Sequence, residues 1–411
     1  MKIAMVAEHA NPLPAHKGEP ACGDSVHIAT LSRQLAKAGH RVTVYARRNA
    51  PDLPERSRMG RGVTVEYLSA GPERRLEDSA ATEHTGAFAA ALGGRLAEDR
   101  PDVLHAFGWT SGLAAVSAAE DGGAPPIVQT FHSLNAAERR AGLPQQRDRS
   151  RIEAAIAGRA DHVAVSSADQ RFELARMGLP RDRVSVVPFG VDTDHFTPEG
   201  ATTAETWSPR RNGRTRIISV TDLAGGGAET LIGTLRRLAG AELTVVAGPA
   251  QVELPLSADA QRLELLAKEA GVDDRISLTG PVDRKELPRL LRSADVYVSG
   301  SAYEPCGGAV LEAMACALPV VARGAGIVNE AVLNGTTGTL LRTARPDALA
   351  RAVHALTAEP TMATAYGIAG ADRAASRYTW ERVAAETERV YQQALPDREG
   401  ALPYAAGDGA H

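Results

Sequence analysis

The chain has 411 residues, 44% of them hydrophobic, enough for two or three globular domains with separate cores. Net charge is -4, and the 23% of charged residues mix both signs without a like-charge block, which argues against nucleic-acid or anionic-membrane partners. Cys22, Cys306 and Cys316 have no metal-ligand spacing and point to a reducing, cytoplasmic compartment. The opening "MKIAMVAEHA" soon meets Glu8 and His9 and reads as a first strand, not a signal peptide. No apolar run approaches a membrane span, so no integral membrane association is expected.

Strand candidates follow in order: "KIAMVAE", "RVTVYAR", "VTVEYLS", "PDVLHAF", "PIVQTFH", "DHVAVSS" and "VSVVPFG". Helical stretches separate most of them, such as "SVHIATLSRQLAKAG", closed by Gly39. This alternation predicts a parallel sheet with helices on both faces. "HFTPEGATTAETWSPRRNGRTR" lacks periodicity and reads as a linker. A second series, "RIISV", "ELTVVAG", "RISLTG", "ADVYVSG", "LPVVARG" and "TGTLL", again alternates with helices. The expected fold is α/β: two doubly wound, Rossmann-like domains, residues 1–200 and 201–375, then a long helix at 376–396 and a disordered tail at 397–411. Such sheets bind ligands beyond their carboxyl ends, so chemistry should lie just after strands.

Two stretches stand in that place. In "SAYEPCGGAVLEAMACALPVVA" a strand ends, Glu304 and Pro305 form a loop, Gly307-Gly308 opens a helix, and Glu312 lies along it. The axis rises about 7–8 Å from Gly307 to Glu312, so the first-turn amides stand between two carboxylates. Those amides favour an anion. The arrangement suits a nucleotide sugar: diphosphate on the amides, sugar hydroxyls on Glu304, the ribose diol on Glu312. Either glutamate alone would be an ordinary turn or surface residue. Glu312, however, sits in the apolar run "AVLEAMACALP", where a buried carboxylate needs partners.

This stretch resembles the E-x7-E signature of retaining glycosyltransferase family 4, whose fold is GT-B with two Rossmann-like domains facing a central cleft. The resemblance extends over nearly the whole chain through "PDVLHAFGWTSGLAA", "QTFHSL", "VVPFGVDTDHF", "LPRLLRSADVYV" and "YTWERVAAETERVY". It implies a glycosyltransferase acting on a nucleoside diphosphate sugar and a small-molecule acceptor, without a metal cofactor. It implies that the last helix crosses back to the first domain. It places Gly18 near the donor diphosphate and His132 and Glu304 at the reaction centre. Val282 falls near the nucleobase, and Cys306, Gly307, Gly308, Ala309 and Glu312 line the donor site. His105 is a weaker acceptor candidate; Arg151 resembles a residue that binds acceptor phosphate in some relatives, but a surface arginine is the better reading; for His27 helix packing fits as well. Likeness to actinobacterial small-metabolite enzymes suggests antibiotic biosynthesis by analogy alone. The "DTD" at Asp192–Asp194 imitates a metal motif, but it falls in a turn where aspartate serves the backbone.

The second stretch, "SVTDLAGGGAETLIG", departs from the family. Thr221 stands where the resemblance expects an arginine and Gly226 where it expects a lysine. Three readings remain open. The glycines form an amide nest that replaces the cations. Arg323, after another strand, restores one. Or the site has changed function, leaving a sugar-nucleotide binding protein, a phosphorylase or an epimerase.

Overall fold

A computed structural model describes residues 1–13, 23–74, 76, 82–119, 124–202, 213–249 and 251–395. Eight strands form the first sheet: β1 Lys2–Ala7, β2 Arg41–Arg47, β3 Arg56–Gly60, β4 Val63–Leu68, β5 Val103–Phe107, β6 Ile127–Phe131, β7 His162–Val165 and β8 Val184–Val186. Their order is β3-β4-β2-β1-β5-β6-β7-β8. All neighbours are parallel except β3 with β4. The six strands β9 Thr215–Val220, β10 Ala241–Val246, β11 Ile276–Leu278, β12 Val296–Val298, β13 Val320–Arg323 and β14 Gly338–Leu341 form a second, wholly parallel sheet. Its order is β11-β10-β9-β12-β13-β14. Central strands such as "VLHAF" and "VYV" are buried throughout, as helices on both faces require.

The strand missed in the sequence is β3, "RSRMG", a polar edge strand of which only Met59 is buried. The helix Trp380–Ala394 does cross back. Gln34 donates to Glu381 at 3.0 Å, and the Tyr391 hydroxyl reaches His105 at 2.8 Å. A Cβ at Gly190 would fall 2.5 Å from the Trp380 ring, so only glycine lets chain and ring approach so closely.

The strand order reverses direction between β1 and β5 in one sheet and between β9 and β12 in the other. The carboxyl ends at these points lead into Glu8 and Gly108 on one side, Thr221 and Ser299 on the other. Ser166 Oγ donates to the Pro305 carbonyl at 2.7 Å, joining the two rims of the cleft.

Candidate functional site

The Gly308–Ala315 helix begins from Gly307, whose φ of 61° is left-handed. A Cβ there would lie 2.4 Å from Ile327 Cγ2, so conformation and space both demand glycine. Gly308 faces the other domain, its built Cβ 3.1 Å from the Phe189 ring. The first-turn amides of this helix, including that of Ala309, lack intrahelical partners by construction.

Both acids flank this mouth. Glu304 is half-buried, and Ser299 Oγ donates to its Oε1 at 2.8 Å. Burial raises its pKa; Ser299 and Ser301 partly offset this, and the charge of Asp222 adds to it. Glu312 is 8% exposed, and Arg284 Nη2 donates to its Oε1 at 2.7 Å. Burial raises its pKa too, with Arg284 and His195 opposing. Val282 is half-buried two residues before Arg284, in the loop after β11.

His132 follows β6 and is buried, its Nδ1 3.0 Å from Asp24 Oδ1. Gln170 Nε2 donates to the His132 carbonyl at 2.8 Å and to the Tyr303 hydroxyl at 3.2 Å. Tyr303 precedes Glu304, so this amide ties the histidine of one domain to the acid of the other. Asp24 lies in the first turn of the Gly23–Lys37 helix. Its other oxygen is 3.7 Å from His9 Nε2, and Cys306 Sγ donates to Oδ1 at 3.8 Å. Burial opposes ionisation of Asp24, but the two histidines outweigh it and hold its pKa well below the usual range. Asp24, Arg284 and Gln170 had no signature in the sequence, because their roles come from partners distant in the chain.

The other candidates divide. Gly18 lies outside the described residues. His105 is not a cleft ligand: it is buried, its ring nitrogens engage Tyr391 and Thr130 at 2.8 and 2.7 Å, and burial drives its pKa to about 3. His27 packs in an aromatic cluster with Phe107, Phe189 and Trp380. Arg151 points outward and is exposed. Arg149, two positions earlier on the same helix, turns inward to the Ser133 carbonyl at 3.2 Å and to Glu138 and Glu153 at 3.1 and 2.7 Å. Helical phase therefore gives the inward arginine to position 149. Asp192 Oδ1 accepts the backbone N–H groups of Asp194 and His195 at 3.2 and 3.1 Å, the turn role read in "DTD".

The glycine loop becomes a turn and a helix cap. Gly226 is left-handed at φ 77° and caps the Gly227–Leu235 helix. Thr221 Oγ1 and Ser301 Oγ lie 3.0 and 3.1 Å from a Cβ built on Gly227, so the two post-strand loops touch there. Asp222 accepts the Gly225 N–H and thereby occupies one amide of the expected nest. The Arg323 guanidinium donates to the carbonyls of Ala302 and Ala141 at 2.8 and 3.3 Å. It stands at the edge of the Glu304 loop and bridges the domains.

A family model described as Glycosyltransferase Family 4 matches residues 23–195, and one described as Glycosyl transferases group 1 matches residues 214–373. The chain is 32% identical to a D-inositol 3-phosphate glycosyltransferase of Geodermatophilus obscurus, over 96% of this chain and 90% of the relative. It is 30% identical to the protein of that name from Nocardiopsis dassonvillei, covering 98% and 97%. Sucrose-phosphate synthase from Thermosynechococcus elongatus superimposes with a TM-score of 0.87 at 26% identity, covering 95% of this chain and 98% of that one. An Anabaena protein solved in complex with UDP and glucose shares the fold at a TM-score of 0.76 and 17% identity, covering 95% and 99%.

Proposed function

The chain belongs to glycosyltransferase family 4 and is a glycosyltransferase of the GT-B fold; from that premise we propose that it transfers a sugar, with retention, from a nucleoside diphosphate sugar to a small hydroxylated acceptor. The observation that carries the donor assignment is the Gly307 helix mouth, with Glu304 and Glu312 on either side. Diphosphate lies on the first-turn amides. Glu304, fixed by Ser299, receives sugar hydroxyls, and Glu312 receives the ribose diol. His132 lines the reaction centre with Asp24 behind it.

The leaving diphosphate gains charge as the glycosidic bond breaks, and fixed dipoles can stabilise it without reorganisation. The Gly307 mouth and the Gly226-capped helix supply two such dipole ends. In this reading Arg323 supports the site by holding the Ala302 carbonyl, and no metal takes part. The nucleotide complex of the Anabaena protein supports the choice of donor class. The names of the inositol phosphate relatives support a small polyol acceptor. No described helix is long and apolar enough to cross a membrane.

Thermal unfolding in the presence of UDP, GDP, ADP and dTDP tests the donor class. A ligand at 100 times its Kd stabilises by about 2.7 kcal/mol. One base should give a clear upward shift in Tm. NMR of the product from the matching nucleotide sugar then reads the anomeric outcome. No shift with any of the four overturns the reading.

A further inference from the structure

The Glu312 carboxylate is already engaged in the free protein. Arg284 Nη2 donates to Oε1 at 2.7 Å, while Oε2 accepts no hydrogen bond among the described residues. Glu312 is 8% exposed, whereas the Arg284 side chain is 43% exposed. An ion pair between two surface groups would mean little. This one differs because its acid is buried and, if the arginine goes, loses the one ion pair that the described residues give it, leaving only the weaker influence of His195. Arg284 is itself held. Its guanidinium lies over the Phe196 ring, 5.2 Å from the centroid, and its carbonyl accepts from His195 Nε2 at 2.7 Å. The short segment leaving the first domain thus clamps the residue that clamps the acid.

We propose that Arg284 is a positioning residue that holds one oxygen of Glu312 and presents the other to the ribose diol of the donor. This rests on the nucleotide-sugar reading above. Among the described residues, four groups face Glu312: Arg284 from the loop after β11, His195 from the interdomain segment, Tyr297 from β12, and Cys316 beyond the end of its own helix. Arg284 and His195 favour the carboxylate; the charge of Glu312 in turn helps keep Tyr297 and Cys316 protonated. Removing Arg284 leaves burial as the dominant influence, so Glu312 retains its proton to higher pH.

The sign follows. Donor binding requires the carboxylate, so a variant without the guanidinium binds poorly at low pH and recovers as pH rises. Titration calorimetry with UDP, GDP and ADP on the wild type, Arg284→Met and Arg284→Lys, between about pH 6 and 8.5, measures this. The wild-type Kd should stay nearly flat. Arg284→Met should raise Kd about tenfold near pH 6, close to 1.4 kcal/mol, and approach the wild type at the alkaline end. The Lys variant, which keeps the charge, should fall between them. Turnover at saturating donor should change far less than donor KM, since the diol is held alike in ground and transition states. In a Glu312→Gln background the Met substitution should add nothing. An unchanged Kd with a flat profile overturns the proposal, and so does an equal loss in the Gln background. If the wild type binds none of these three, and not dTDP either, the donor reading has failed and the proposal falls with it.

Discussion

Replacing Gly307 by alanine tests the helix mouth as a physical object. The residue has φ 61°, a region that costs an L side chain roughly 1–2 kcal/mol. The new Cβ would lie 2.4 Å from Ile327 Cγ2, and Ile327 is 1% exposed with no room to retreat. Overpacking of this kind costs about 1–3 kcal/mol. The sum is about 2–5 kcal/mol, a large share of a typical domain stability of about 5–15 kcal/mol. Gly308→Ala is the control. Its Cβ would meet the Phe189 ring edge at 3.1 Å, at a helical position where alanine is otherwise favoured. Urea titration of both variants should show a loss at 307 and a change within about 1 kcal/mol at 308. Equal stabilities at the two positions would refute the reasoning. The 307 variant, where folded, should also bind nucleoside diphosphate more weakly, because the first-turn amides shift.

The remaining predictions concern the cleft and its supports. Asp24→Asn should lower kcat roughly tenfold to a hundredfold with a much smaller change in donor KM, because its close partner is His132 at 3.0 Å and its contact with Cys306 is a long one at 3.8 Å; steady-state kinetics in both substrates would show the split. Arg323→Ala frees the Ala302 carbonyl beside the Glu304 loop and should reduce kcat/KM about tenfold or more, and an unchanged value would remove Arg323 from the site. His105 has a folded pKa near 3, below its unfolded value, so protonation favours unfolding and stability is lost as pH falls below about 6.5. His105→Gln should therefore remove about one proton's slope from the unfolding free energy between about pH 6.5 and 5, measured by urea titration against the wild type. Transfer should persist in excess EDTA; abolition with recovery on adding a divalent cation would overturn the metal-free mechanism.

Much of the fold could be read from the chain, and the reason is physical. Strands such as "VLHAF" and "VTVEYL", buried among helices, appear as short apolar runs, and the alternation with helices fixes the sheet type. The Arg56–Gly60 strand escaped because an edge strand can be polar. The acids Glu304 and Glu312 were legible because spacing along one strand–loop–helix unit sets their geometry locally. Asp24 and Arg284 were not, since an ion pair between distant segments leaves no periodicity in sequence. Arg151 is exposed, as a surface arginine would be; the inward Arg149 was not legible because sequence offers arginines at 147, 149 and 151, and only the phase of the Arg149–Arg159 helix tells which one turns inward. For the triple glycine the sequence leaves three readings open, an amide nest at the next helix start among them. Its cap on the Gly227–Leu235 helix was foreseeable, while the hold of Asp222 on Gly225 depends on the turn it makes.

The account rests on a pair of acids gripping a nucleotide sugar across one helix mouth. Titration calorimetry of the nucleoside diphosphate sugar that shifts Tm most, against the wild type and the Glu304→Gln/Glu312→Gln double variant, tests it most directly. Two lost charge-assisted contacts of about 1.5–3 kcal/mol each predict a Kd weakened by at least a hundredfold with the fold intact. A double variant that binds as the wild type does would contradict it.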